Sequence, residues 1–245
     1  MSPSSQVSGR ESPDSAVSPS PASFFLLRDA ESAIDALAGL SSTVRVYPRG
    51  AVIYHQGESG AHFYQLLSGR VRIYIGMANG IERVLSYAEP GSTFGESACF
   101  DEKPYYTTAV AVQLSEVRVI AREAVLRAAR DSPEVLREVF RALVRKQRQL
   151  AMHVAAERLC ARDRAVLLLN SLVEAYGDSL AGSRGVRLHL GLSIEELASL
   201  VGVTRVTMSR ELSDLVRRGT VAKEGLDIIV LDPGALRQAA SRLGV

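Results

Sequence analysis

The hydrophobic pattern of this chain changes period twice. From Arg45 to about Ile120 the apolar positions come in short runs rich in Val, Ile and Tyr: VRVYPRGAVIYHQGE, FYQLLSGRVRIYIG and ERVLSYAEPGSTFGE. Glycines punctuate them at positions 50, 57, 69, 76, 80, 91 and 95. Regularly spaced short strands with glycine turns predict a sandwich or barrel.

From Ser132 to Leu159 the period becomes helical. Ser132 can cap, Pro133 fits the first helical position, and Glu134 suits the positive end of the dipole. A helix of this length would span about 42 Å at about 1.5 Å per residue. Leu136, Phe140, Leu143, Gln147, Leu150 and Val154 alternate in steps of four and three, an a/d seam with one polar knob. Val135, Val139 and Ala142 form a second stripe. Two stripes imply two partners, the β domain of the same chain and a second copy of the helix. A helix buried on both sides within one monomer is the alternative. Gln147 in the seam would set register at some cost in stability.

From Arg162 onward the pattern is of helices and then a short hairpin. RAVLLLNSLVEAYG reads as one amphipathic helix ending at Gly177, and SRGVRLHLGLS as a turn and a short strand. Ser193 with Glu196 three residues on matches a capping box. LSIEELASLVGVTRVTMSRELSDLVRRG, Leu192 to Gly219, reads as helix–turn–helix: a first helix ending near Val201, a tight turn at Gly202, and Thr204 capping a second helix. Met208, Leu212 and Leu215 share that helix's inward face. Arg205, Val206, Ser209, Arg210 and Ser213 share the opposite one. Arginine can read guanine bidentately, serine can reach a base or phosphate, and valine can meet a thymine methyl. Thr204 and Thr207, with Ser193, suit phosphate or capping contacts. An ordinary hairpin with a solvated basic face is the alternative. Thr220 to Leu231, turning near Gly225, reads as a wing, and Arg217, Arg218 and Lys223 could add phosphate contacts.

Composition adds limits. At 245 residues, 47% hydrophobic and 23% charged, there is material for real cores, and a net charge of +2 is too mild to argue nucleic-acid binding by itself. No run of eighteen apolar residues exists, so no membrane span is expected. The first 23 residues hold nine Ser and four Pro without a basic or apolar leader segment. They predict a disordered tail over 1–24 and a cytoplasmic protein. Two cysteines, Cys99 and Cys160, cannot supply the four ligands of an iron–sulfur cluster. They read as ordinary thiols, with a redox-responsive Cys99 the alternative.

A Gly-punctuated β-roll, a long dimer helix and a C-terminal winged helix–turn–helix, in that order, resemble the cyclic-AMP receptor/fumarate–nitrate regulator (CRP/FNR) superfamily of bacterial transcription factors. RGAVIYHQGE, LLSGRVRIY, GSTFGESACF and GVTRVTMSRELSDL carry the resemblance. It implies an α+β architecture: a cyclic-nucleotide-binding-like β-roll (jelly roll) over 25–130, a dimerisation helix over 131–159, a winged helix–turn–helix over 160–235 and a C-terminal helix over 236–245. It also implies a homodimer, a small-molecule effector held between β-roll and long helix, a palindromic double-stranded DNA site, and RNA polymerase as a partner. No cofactor and no enzymatic activity are expected.

In the cyclic-AMP binders of this family a Gly-Glu pair holds the ribose, and an arginine and serine just after a proline hold the cyclic phosphate. Gly95 and Glu96 are kept here, but Pro104 is followed by Tyr105 and Tyr106. The family's adenine-binding Thr-Ser pair falls at Leu150 and Ala151, neither of which can hydrogen-bond a purine. Loss of the guanidinium removes a bidentate, charge-assisted contact, so cyclic AMP is not expected as effector. PYYTTA is similar instead to the chlorophenol-sensing regulators of halorespiration, which carry a Pro-Tyr-Tyr-Thr run. Their recognition helix also has Val and then Ser-Arg, as at Val206, Ser209 and Arg210. Lys146 aligns with a basic residue of their phenolate pocket, while Leu143 stands where they have a ring-contacting Tyr. This resemblance implies an aromatic or carboxylate effector held by Tyr74, Gly95, Glu96, Tyr105, Tyr106, Thr107, Lys146 and Leu150. Tyrosines serving only as β-roll core are the alternative. A redox- or haem-sensing regulator is a second reading. A cupin-like metalloenzyme is a third, against which the four histidines at 55, 62, 153 and 189 include no His-x-His pair.

Overall fold

A computed structural model describes residues 26–27, 37, 39–180 and 184–243. The serine- and proline-rich tail expected over 1–24 lies outside the described residues. The N-terminal unit is built from β1 (Leu26–Leu27), β2 (Ser42–Tyr47), β3 (Val52–Tyr54), β4 (His62–Ser68), β5 (Val71–Gly76), β6 (Glu82–Ala88), β7 (Thr93–Phe94), β8 (Thr108–Ala111) and β9 (Ser115–Ala121). They form two sheets, ordered β1-β6-β5-β8-β3 and β2-β9-β4-β7. Apart from the β5–β6 pair, strands adjacent in sequence fall in different sheets, as in a roll. A core of Tyr54, Tyr64, Leu66, Val71, Ile73 and Phe94 fills the space between them. Aromatic rings stack within it, Tyr54 on Tyr105 at 4.0 Å between centroids and Tyr64 on Phe94 at 5.2 Å.

β5 and β6 are out of step by one residue: Ile73 pairs with Ser86 but Tyr74 with Val84. Leu85 is the extra residue of this bulge, free of the ladder on that side. Flanking the bulge, Val84 and Tyr87 of β6 pack into the core of the C-terminal domain.

One short helix, α1 (Glu96–Asp101), interrupts the β region where the pattern predicts none. α2 (Arg122–Asp131) leads to α3 (Pro133–Ala156). Ser132 caps α3 by accepting from the Val135 N–H, as expected. The helix has 24 residues and stops at Ala156 instead of Leu159. The Leu159 N–H bonds to Ala156 O in a turn, and its carbonyl is taken by Arg164 Nε. Val135, Val139 and Ala142 are buried, the first two in a cluster with Phe63, Cys99, Ile120 and Val125. Among the described residues the other stripe is largely exposed: Phe140 is 65% exposed, and Leu136, Gln147, Leu150 and Val154 are exposed too, with Leu143 half-buried.

α4 (Ala161–Tyr176) opens the C-terminal domain, followed by β10 (Gly177–Ser179), β11 (Val186–Leu188), α5 (Ile194–Val201), α6 (Arg205–Arg217), β12 (Val221–Glu224), β13 (Asp227–Val230) and α7 (Pro233–Ser241). The strands form one sheet, β10-β11-β13-β12, whose last pair is the hairpin turning at Gly225. α7 starts three residues before the expected 236, because Asp232 caps it through the Ala235 N–H and Pro233 sits in its first turn.

Candidate functional site

The roll and α3 enclose a cavity of about 310 Å³. Gly95 sets its entrance. Its φ of 77° is left-handed, and a Cβ there would lie 2.8 Å from the Tyr64 ring, so only glycine turns the chain tightly enough to start α1. Glu96, first in that helix, is thereby held in the cavity wall at 4% exposure. Lys146 reaches it from α3, its Nζ 2.8 Å from Glu96 Oε2, and donates to Thr93 O at 2.7 Å. Among the described residues lining the cavity, Lys146 is the one lysine or arginine. Four aromatic side chains (Tyr54, Phe94, Tyr105, Tyr106) and five aliphatic ones (Ile73, Ile75, Leu85, Leu143, Leu150) make up half of the lining residues.

The expected effector residues divide. Gly95, Glu96, Tyr105, Tyr106, Thr107, Lys146 and Leu150 all line the cavity. Tyr74 does not. It lies on the other face of β5 from Ile73 and Ile75, with the Arg72 guanidinium 4.5 Å over its ring, against the C-terminal core. Tyr105 contributes its ring but not its hydroxyl, which donates to His62 O at 2.7 Å and accepts from His62 N at 3.1 Å. Tyr105 is thus a core residue at one end and cavity wall at the other. Tyr54 hydroxyl and Thr107 Oγ1 are 3.3 Å apart. Burial holds the Tyr54 and Tyr105 phenols above their usual range, so both rings stay uncharged.

The sequence reading missed Gln149 and His153, both buried and both in the wall. They follow Lys146 by three and seven positions, a helical spacing that puts all three on one face. The signal was present but masked by the neighbouring apolar seam. Gln149 Nε2 donates to Leu85 O at 3.3 Å, the carbonyl freed by the bulge in β6. His153 also borders a small cleft with Leu200 and Val201, at the end of α5. The cavity and the C-terminal domain therefore share one side chain.

Cys99 is buried, and burial pushes its thiol up to about 12. It stays protonated at neutral pH, which removes the thiolate a redox sensor needs. Among the described residues no group of three His, Cys, Asp or Glu can hold a metal ion.

The helix–turn–helix is laid out as the sequence predicts. Ser193 forms the full capping box with Glu196, Gly202 closes α5 at φ 66°, and Thr204 caps α6 through the Thr207 N–H. Met208, Leu212 and Leu215 are buried. Arg205, Val206, Ser209, Arg210 and Ser213 line one shallow open concavity, with Val206 66% exposed. Several of the expected polar contacts are already engaged, the Thr204 and Thr207 hydroxyls with each other at 2.9 Å among them. Ser193 Oγ bonds to Glu196 Oε2 at 2.8 Å, and Ser213 Oγ donates to Ser209 O at 2.8 Å. On the wing Glu224 and Asp227 both pair with Arg187, so acid as well as Lys223 faces outward there. Arg217 pairs with Asp214.

Polar contacts fasten this domain to the roll. Arg70 pairs with Glu89 and donates to Leu190 O at 2.8 Å. Tyr87 hydroxyl and Ser199 Oγ are 3.1 Å apart. Arg83 points at Gly202, where an added Cβ would meet its Nη1 at 2.0 Å. Arg164 meanwhile donates to Val201 O at 2.9 Å, so two guanidinium groups face the negative end of α5.

Residues 44–132 match the family model of the cyclic nucleotide-binding domain, and residues 163–239 that of the Crp-like helix-turn-helix domain. A ligand-type cavity joined through one long helix to an exposed, arginine-bearing recognition helix defines a DNA-binding transcription regulator, not an enzyme. The CRP-like cAMP-activated global transcriptional regulator of Mycobacterium tuberculosis is 32% identical over 199 residues, 79% of this chain and 86% of the relative. The cyclic AMP receptor protein of Thermus thermophilus is 32% identical over 72% of this chain and 78% of its own. The chain belongs to the CRP/FNR family. Among solved structures, FixK2 from Bradyrhizobium japonicum superposes with a TM-score of 0.70 at 25% identity, covering 82% of this chain and 98% of that one. CprK complexed with OCPA superposes with a TM-score of 0.69 at 21% identity, covering 86% and 96%, a likeness of fold alone. No helix among the described residues is long and apolar enough to cross a membrane.

Proposed function

We propose that this chain is a homodimeric, cytoplasmic regulator whose effector is a small aromatic compound, not cyclic AMP, bound in the cavity between roll and α3. The observation that carries this is at Tyr105. Where the cyclic-AMP binders of the family hold the phosphate with an arginine, this chain has a buried ring, its hydroxyl committed to the His62 backbone. The lone ammonium, Lys146, is already paired. Four aromatic rings and an aliphatic floor suit a flat apolar ligand better than an aliphatic carboxylate.

The exposed seam of α3 supports the dimer. Leu136, Phe140, Leu150 and Val154 form a solvent-facing apolar stripe beside a buried one, and a parallel second copy would cover it. Leu150 belongs to both seam and cavity wall, so a ligand that moves it moves the dimer contact. The effector can shift the dimer only by binding its two states differently. Two faces of Arg205, Val206, Ser209, Arg210 and Ser213 would then lie about 34 Å apart on a palindrome. Thr204 and Thr207 would sit near the phosphates. Val206 has no acceptor for cytosine, so half-sites related to TTAAT are expected, with A·T facing Val206. RNA polymerase is the expected protein partner.

The competing reading is cyclic AMP itself, which the two 32% identical relatives, a cAMP-activated regulator and a cyclic AMP receptor protein, favour. A thermal-shift screen with cyclic AMP, phenol, chlorophenols and hydroxybenzoates separates the two, because a ligand of the folded state raises the melting temperature by mass action. A rise with phenolic compounds and none with cyclic AMP is expected. A rise with cyclic AMP alone overturns the proposal.

A further inference from the structure

We propose that the cavity selects an uncharged aromatic ligand and rejects its anionic counterpart, because Glu96 and Lys146 cancel one another inside it. This deepens the effector reading above and rests on it.

The two charged side chains are 5% and 17% exposed, 2.8 Å apart, and both in the cavity wall. An anion entering beside them meets the ammonium's attraction and the carboxylate's repulsion at similar range, so it gains little net field. It still gives up its hydration to reach a wall of rings and aliphatic side chains, and an ion loses far more on that transfer than a neutral ring does. An anion could take Lys146 for itself only by leaving Glu96 buried without a counter-ion, which is the costly way to break such a pair.

A neutral aromatic head group has neither difficulty. Its ring exchanges water for Tyr54, Phe94, Tyr105 and Tyr106. Lys146 carries three N–H donors; Thr93 O takes one, and Glu96 Oε2 sits 2.8 Å from Nζ as an ion-pair partner outside hydrogen-bond geometry. A remaining donor can meet one hydroxyl or carbonyl oxygen. The tyrosine rings of the wall do not add charge, since burial raises the phenols of Tyr54, Tyr105 and Tyr106 above their usual range and keeps them protonated. The remaining titratable group of the wall, His153, lies one turn beyond Gln149 and is itself engaged. The predicted ligand class is therefore a flat aromatic with one neutral oxygen head: a protonated phenol, an aryl ketone or an aromatic amide.

Benzamide and benzoate test this, being nearly the same in size and opposite in charge class. Each is titrated by calorimetry into the full-length wild type and into Glu96→Gln at pH 8. Wild type should bind benzamide at least about tenfold more tightly than benzoate, a tenfold ratio being about 1.4 kcal/mol. Glu96→Gln removes the carboxylate and leaves Lys146 without its counter-ion, so benzoate should become the tighter ligand. Should that variant fold poorly, Glu96→Gln combined with Lys146→Met restores neutrality and should keep the benzamide preference. Benzoate binding to wild type as tightly as benzamide overturns the proposal, as does a preference that Glu96→Gln leaves unchanged. Binding of neither compound to wild type or variants overturns the aromatic-effector reading itself, and the charge rule with it.

Discussion

Gly202 joins two features, and alanine there should disturb both. Its φ of 66° lies in the left-handed region, where a side chain costs about 1–2 kcal/mol. The added Cβ would also lie 2.0 Å from Arg83 Nη1 and 2.8 Å from its Cζ. No real contact is that short, so the guanidinium must move. The Arg83 side chain is 22% exposed, and its ion-pair partner is Glu157 at 3.8 Å. That pair is weak, so its loss adds little. The larger cost is repacking the guanidinium against the end of α5, about 1–2 kcal/mol by analogy with overpacked cores. Gly202→Ala should thus destabilise by about 2–4 kcal/mol in the wild type, but by only the backbone part, about 1–2 kcal/mol, in an Arg83→Ala background. A double-mutant cycle by urea denaturation, at one fixed protein concentration, reads the difference as a coupling of about 1–2 kcal/mol. Equal costs in the two backgrounds would refute the reasoning. They would mean that Arg83 does not press on the turn in solution, and that the C-terminal domain is not docked on β6 as described.

Phe140→Glu should weaken the dimer strongly: each copy loses about 1.5–3 kcal/mol of apolar burial, and symmetry counts it twice. Sedimentation equilibrium checks this, and an unchanged association constant would mean that the seam is not the interface. Arg210→Ala should cost about 1–3 kcal/mol of specific binding to a palindromic site while leaving non-specific binding nearly as it was. Fluorescence anisotropy at fixed salt distinguishes that from a uniform loss. An aromatic-disulfide reagent at pH 8 should titrate one thiol in the native protein, Cys160, and both cysteines after denaturation, because Cys99 is buried with its pKa raised to about 12. Rapid native reaction of Cys99 would contradict its placement.

What the sequence determined by itself is what short-range chemistry decides. The capping box at Ser193, the turn at Gly202, the cap at Thr204 and the inward row Met208, Leu212, Leu215 depend on atoms within one or two turns of each other, and all appear in place. The two stripes of α3 follow from helical period alone, which is why one is buried and the other open. Its end was less legible: no glycine or proline stands at 157–159, and the stop comes from Arg164 taking the Leu159 carbonyl. Only the tertiary structure decided the cavity. Period two places Tyr74 opposite Ile73 and Ile75, but not which side of β5 faces the cavity. That depends on sheet order and on the bulge at Leu85, both long-range pairings. Tyr105 and Tyr106 are adjacent and look alike in sequence, yet the first is core and the second 53% exposed. Likewise a glutamate and a lysine fifty positions apart become one neutral unit only when α3 packs across the mouth of the roll. Local residues set the geometry of each element, whereas the charge and shape of the cavity arise where elements distant in sequence meet.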